Sequence, residues 1–130
     1  MDTQDNLINK LYTAGWGSTN PSHLSLSYPN EINYVDAVVF PMSFCKYIYP
    51  DPAYDFLFNQ TTHVCAGYQA AVGKDTCYSD SGSPLMVKQK GQWFAYGVVT
   101  FGSQPDCAQG PSMFIRISFY YDWIKSVISF

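Results

Sequence analysis

The apolar runs of this chain are short, and that constrains its fold more than any other feature. The stretches "NYVDAVVF", "HVCAGY", "SPLMV", "QWFAYGVVTFG" and "SMFIRIS" recur, each bounded by Gly, Pro, Asn or Ser. Runs of this size suit strands and turns better than helices. In "SMFIRIS", Phe114 and Arg116 alternate with Met113, Ile115 and Ile117, a period of two. No helical crossover stands between the runs, so an antiparallel barrel or sandwich is expected. Only "FYYDWIKSVISF" breaks the pattern. It places Tyr120, Trp123, Ile124, Val127 and Ile128 on one stripe at helical spacing, which predicts a helix packed back on the barrel.

The 130 residues allow one domain with a real core. Aromatic residues at 18% favour half-buried pleated surfaces. A net charge of -3 and the lack of an aromatic-interleaved basic run argue against nucleic acid as a partner. No segment approaches the ~20 apolar residues of a membrane span, so no membrane role is expected. The opening "MDTQDNLINK" lacks the pattern of a secretory signal peptide.

Cys45, Cys65, Cys77 and Cys107 lie far apart with no C-x-x-C pair. Two disulfides are therefore expected and no metal site, with three pairings open. Asn59-Gln60-Thr61 is an N-glycosylation sequon, whereas Pro21 excludes Asn20-Pro21-Ser22. Disulfides and a sequon without an export signal imply a secreted protein whose front part lies outside this chain.

The chemistry is concentrated in "KDTCYSDSGSPL". An α/β-hydrolase nucleophile elbow is excluded, because "SPLMV" continues as a strand where that motif requires a helix. The segment resembles instead the nucleophile segment of the trypsin/chymotrypsin family. "TAGWGST", "YPNEINYVDAVVF", "CAGY", "GVVTFGS", "DCAQG" and "DWIKSVI" are similar to further family segments, in the family's order. The resemblance covers about residues 13 to 128. It implies the second of the family's two barrels, an all-β, six-stranded antiparallel Greek-key barrel with a C-terminal α-helix. The expected layout is a leading segment over 1–12, the barrel over 13–118 and the helix over 119–130.

The resemblance also implies roles. Ser81 would be the nucleophile, its N–H and that of Ser79 forming the oxyanion hole. Family members carry glycine at the position of Ser79, and a Cβ there works against the backbone angles that aim the N–H. Asp75 would lie at the base of the primary specificity pocket, beside Thr76, and pair with a Lys or Arg side chain of the substrate. Gly102 would leave the pocket mouth open, and Thr100, Phe101 and Gly102 would pair with an extended substrate. Ser112 replaces a glycine and should narrow the pocket, against Arg more than Lys. Asp80 would pair with the N-terminal ammonium released on zymogen activation. The implied disulfides are Cys45–Cys65 and Cys77–Cys107, and a further family bridge would join the positions of Lys10 and Lys88.

A serine needs a base. His23 with Asp36, or His63 with Asp55, precede Ser81 in the chain but match segments away from the cleft, so both histidines are expected at the surface or a strand edge. The family takes its triad His and Asp from the first barrel. The expected function is therefore the C-terminal half of a trypsin-like serine endopeptidase cleaving after Lys or Arg. It would need no cofactor, act on polypeptide substrates or meet protease inhibitors, and be inert without the missing N-terminal barrel. The alternative is a non-catalytic serine protease homologue, a secreted binding or regulatory module.

Overall fold

The computed structural model describes residues 10–68, 75–102 and 106–128. Most of the expected leading segment, Lys74 and Ser103 of the family-like segments, and the last two residues of the expected helix lie outside the described residues. Six strands form a closed antiparallel barrel: β1 (Leu11–Gly15), β2 (Asn33–Phe40), β3 (His63–Gly67), β4 (Pro84–Gln89), β5 (Gln92–Phe101) and β6 (Ser112–Arg116). Their order around it is β1-β2-β3-β6-β5-β4, so β3 reaches across to β6 and β1 closes on β4. β1 begins inside the segment expected to lead the barrel. The terminal helix α2 (Ile117–Ile128) begins two residues earlier than expected, directly after β6.

Local chemistry accounts for the register. Gln89 faces Gln92 across a two-residue turn. Lys90 and Gly91 both take positive φ there, 49° and 79°, the primed geometry that matches strand twist. Leu11, Leu85 and Phe114 are fully buried in the barrel core, each contributing about 1.5–3 kcal/mol by the area it removes from water. The alternation in β6 is real, but both of its faces are covered. Phe114 enters the barrel, whereas Met113 joins a second cluster with Cys45, Leu57 and Cys65.

That second cluster holds elements the sequence pattern did not announce. A short helix, α1 (Met42–Ile48), and a 3₁₀ turn (Pro52–Leu57) follow β2, so the end of the chain is not the only helical part. Seven residues make too short a helix to persist alone. Cys45 ties it to Cys65 on β3, and the Tyr49 hydroxyl donates to the Pro111 carbonyl at 2.6 Å. Tertiary anchoring overrides local propensity here.

α2 follows the expected stripe only in part. Tyr120 and Ile124 are half-buried, and the helix leans on β5. Trp123, Val127 and Ile128 are exposed, and no residue of the helix is fully buried.

The pairing of Tyr12 with Met86 and Thr13 with Leu85 continues to set Lys10 opposite Lys88. Like charges across a strand pair repel, and each ammonium lies over a ring instead: Lys10 over Tyr12 at 5.3 Å, Lys88 over Trp93 at 5.6 Å. A Lys10→Cys/Lys88→Cys variant should close a third disulfide and gain about 2–4 kcal/mol over the matched double-serine variant. Thiol titration with thermal melts checks this; two free thiols in the folded variant would rule out the register.

Candidate active site

The loop between Cys77 and β4 is built around one carboxylate. Asp80 is 9% exposed. Its Oδ1 accepts the Gly17 N–H at 2.8 Å and its Oδ2 the Cys77 N–H at 2.9 Å. A carboxylate can be buried only when such charge-assisted bonds replace water. The space for it exists because two neighbours lack side chains. A Cβ on Gly15 would lie 1.9 Å from Asp80 Oδ1, and one on Gly17 2.4 Å from its carboxyl carbon. This is the physical reason for the glycines of "TAGWGST".

Backbone bonds complete the clamp. Asp80 N–H donates to the Cys77 carbonyl at 3.0 Å, and Ser83 N–H to the Asp80 carbonyl at 2.9 Å. Gly82 N–H donates to Val99 and Val99 N–H to Ser83, fastening the loop to β5. Ser18 N–H donates to the Tyr78 carbonyl on the other side. Ser81 is left exposed at the turn. It borders a cleft of about 130 Å³, with Thr76 to Ser79 on one wall, Val99 to Gly102 on the other, and Cys107 at the end. The Cys77–Cys107 bridge ties the first wall to that end. Of the residues picked from sequence, the cleft collects Ser81, Ser79, Thr76, Thr100, Phe101 and Gly102.

Ser79 stands at φ 73°, the left-handed region where a Cβ costs roughly 1–2 kcal/mol. The serine therefore keeps the backbone region that glycine would choose.

Asp75 is placed differently. It lines a larger cavity of about 470 Å³ together with Asp36 and Asp80. The Ser112 hydroxyl donates to Asp75 Oδ2, and Thr76 Oγ1 lies 3.2 Å from Ser112 Oγ. A Cβ on Gly102 would lie 2.9 Å from Ser112 Oγ and 3.8 Å from Asp75 Oδ2. The fully buried Ser112 thus lies against both the Gly102 wall and the carboxylate. Burial pushes the Asp75 carboxyl up to about 7; hydrogen bonds from Ser112 and Thr76 oppose the shift, and the charge of Asp80 adds slightly to it.

The histidines are engaged elsewhere. His23 Nδ1 pairs with Asp106 Oδ1 at 2.7 Å, and the His23 N–H donates to the same oxygen at 2.9 Å. This pins the segment after Ser18 to the end of the cleft, as does the Cys107 N–H on the Pro21 carbonyl at 2.8 Å. His63 lies on β3 against Thr62, its ring 2.8 Å from the Thr62 hydroxyl, and burial lowers its pKa. Asp36 lines the larger cavity and Asp55 is exposed in the 3₁₀ turn. Among the described residues, neither histidine is bonded to Ser81.

Sequence reasoning missed the His23–Asp106 pair and the aromatic support of the cleft wall. Phe101 packs edge-to-face with Tyr49 and tilted against Tyr54, at 5.1 and 4.6 Å between ring centroids. The run of Tyr and Phe between 47 and 58 was the available signal.

Two consequences are testable. Gly17→Ala should displace the Asp80 carboxylate and cost about 1.5–3 kcal/mol, the value of a hydrogen bond to a charged group; urea unfolding measures it, and an unchanged midpoint would contradict the clamp. Asp75 binds its proton more tightly in the folded state, so stability falls as pH rises from about 4 to about 7 and is level above. Asp75→Asn should therefore stabilise by an increment that grows across that window, read from unfolding curves at pH 4, 5.5 and 8. An increment independent of pH would contradict the buried, protonated carboxyl.

Comparison with known proteins covers almost the whole chain. The family model described as Trypsin matches residues 2–124. Glandular kallikrein of Sus scrofa is 34% identical over 117 residues, 89% of this chain and 43% of the kallikrein. The CLIP domain-containing serine protease B4 of Anopheles gambiae is 38% identical over 120 residues, 90% of this chain and 30% of that protein. Kallikrein-8 of Homo sapiens is 34% identical over 122 residues, 92% of this chain and 41% of the kallikrein. The chain thus spans less than half the length of these relatives.

Proposed function

The chain belongs to the trypsin family, and from that premise we propose that it is the half of a serine endopeptidase that carries the nucleophile, Ser81. The observation that supports this most is the Asp80-clamped loop. It holds Ser81 at the cleft edge, and Ser79 beside it has a φ of 73°, a region that favours glycine. In this reading a His and an Asp come from the first barrel, on a longer chain or a partner. The His removes the Ser81 proton as Oγ attacks the scissile carbonyl. The oxyanion that forms accepts from the Ser81 and Ser79 N–H groups, the leaving amine takes the proton from His, and water then releases the acyl group. A base lost from a comparable triad costs about 10⁶ in rate, so this chain by itself is inert. Its paired cysteines fit an extracellular protein, and the whole enzyme is secreted in this reading.

The substrate enters as an added strand along Thr100 to Gly102, with its side chain in the cleft. Asp75 attracts a basic side chain, but Ser112 lies against the carboxylate and takes its length. The preferred residue is therefore Lys, reaching the carboxylate through Ser112, rather than the longer Arg fork. Asp80, bordering the larger cavity, receives the activation ammonium.

A second reading has one specific observation in its favour. The Ser112–Asp75 bond satisfies the carboxylate internally, as a homologue that binds without cleaving would allow.

The test is hydrolysis of Lys and Arg peptide amides by the full-length protein. Ser81→Ala should lower kcat by about 10⁶. Ser112→Gly should raise kcat/KM for Arg relative to Lys about tenfold or more, the scale of a small volume change in a pocket. Turnover that survives Ser81→Ala would overturn the reading. Absence of turnover in a protein with intact upstream His and Asp would favour the non-catalytic homologue.

A further inference from the structure

On the side of the barrel where β6 runs into α2, the sequon meets a cleft that the peptidase reading does not use. Asn59 is exposed at the head of a turn made by its own groups. Its Oδ1 accepts the Thr61 N–H at 2.9 Å, and its carbonyl accepts the N–H groups of Thr62 and His63 at 3.1 and 2.8 Å. With Oδ1 committed to Thr61, the planar amide directs Nδ2 away from that bond. The turn is fastened to β6, because Arg116 Nε donates to the Gln60 carbonyl at 2.9 Å and the Arg116 N–H to the Thr62 carbonyl at 2.8 Å.

Next to Asn59 in the chain, Gln60 and Thr61 line a cleft of about 300 Å³ closed by Arg116, Ser118 and Phe119. That volume lies at the lower end of small-ligand sites. Its lining combines the polar residues Gln60, Thr61 and Ser118 with Phe119, 51% exposed, over an Arg116 whose guanidinium is bonded to the Gln60 and His63 carbonyls and the Tyr96 hydroxyl. An amino sugar has this division: hydroxyl and acetamide groups at its edge, an apolar C–H face for a ring. We propose that Asn59 carries an N-linked glycan whose first N-acetylhexosamine seats in this cleft against Phe119, covering the start of α2. In the attachment step Asn59 Nδ2 bonds the anomeric carbon of a glycosyl diphosphate donor. The bond to the diphosphate breaks and Nδ2 gives up one proton. Because the sugar is tethered next to its cleft, its effective concentration is in the millimolar range, and a shallow site suffices to hold it. The glycan also supplies cover for a helix that buries no residue of its own. This role is independent of catalysis.

The full-length protein, secreted from a eukaryotic host, tests both halves. Intact mass before and after peptide N-glycanase should show a glycan, and peptide mapping should place it on Asn59. Asn59→Gln and Thr61→Ala should each remove it, the second without altering the Asn59 side chain. Hydrogen exchange over residues 117–121 should be roughly two- to tenfold slower in the glycosylated form, the scale of one aromatic contact. The protection should persist when an endoglycosidase trims the glycan to one sugar. Phe119→Ser should abolish it with the glycan still attached. An unmodified Asn59 in the secreted protein overturns the proposal, as does exchange in α2 that is equal with and without the sugar.

Discussion

Most of what is distinctive in this structure depends on the burial of one carboxylate. Asp80 sits beneath the loop it belongs to, with Gly17 and Cys77 as its two N–H donors. Removing either donor leaves a buried charge short of one hydrogen bond, a cost of about 1.5–3 kcal/mol. The loop therefore has little freedom to relax. Ser79 takes a left-handed backbone, Ser81 stands at the exposed corner, and the bridge from Cys77 to Cys107 carries the constraint to the end of the cleft. The strain at Ser79 is tolerated because the surrounding bonds over-determine the turn.

The same arrangement separates two acidic sites by only a few residues of chain. Asp80 is satisfied by backbone N–H groups and borders the larger cavity. Asp75 accepts from the Ser112 hydroxyl, and burial holds its proton up to about 7. One carboxylate organises the loop; the other is held by the Ser112 hydroxyl. Ser112 bonds that second carboxylate and lies against the Gly102 wall of the cleft.

Much of this was legible in the sequence because strands, turns and the nucleophile loop are local patterns. The five quoted apolar runs became β2 to β6, and the disulfide pairing that the family resemblance implied is the one the structure forms. What escaped was held by long-range contacts. α1 depends on the Cys45–Cys65 bridge and Tyr49, the Phe101 packing on residues some fifty positions earlier, and His23 on Asp106. The exposure of Trp123 and Val127 contradicts the simple reading of an apolar helical stripe, since periodicity gives a face but not the surface that covers it.

Whether Ser81 is an activated nucleophile is read most directly by covalent labelling. The full-length folded protein is treated with a fluorophosphonate, and the labelled peptide is identified by mass spectrometry. Modification at Ser81, absent when the protein is unfolded first, is the predicted result. A folded protein with an upstream His and Asp in place whose Ser81 stays unlabelled would contradict the peptidase account.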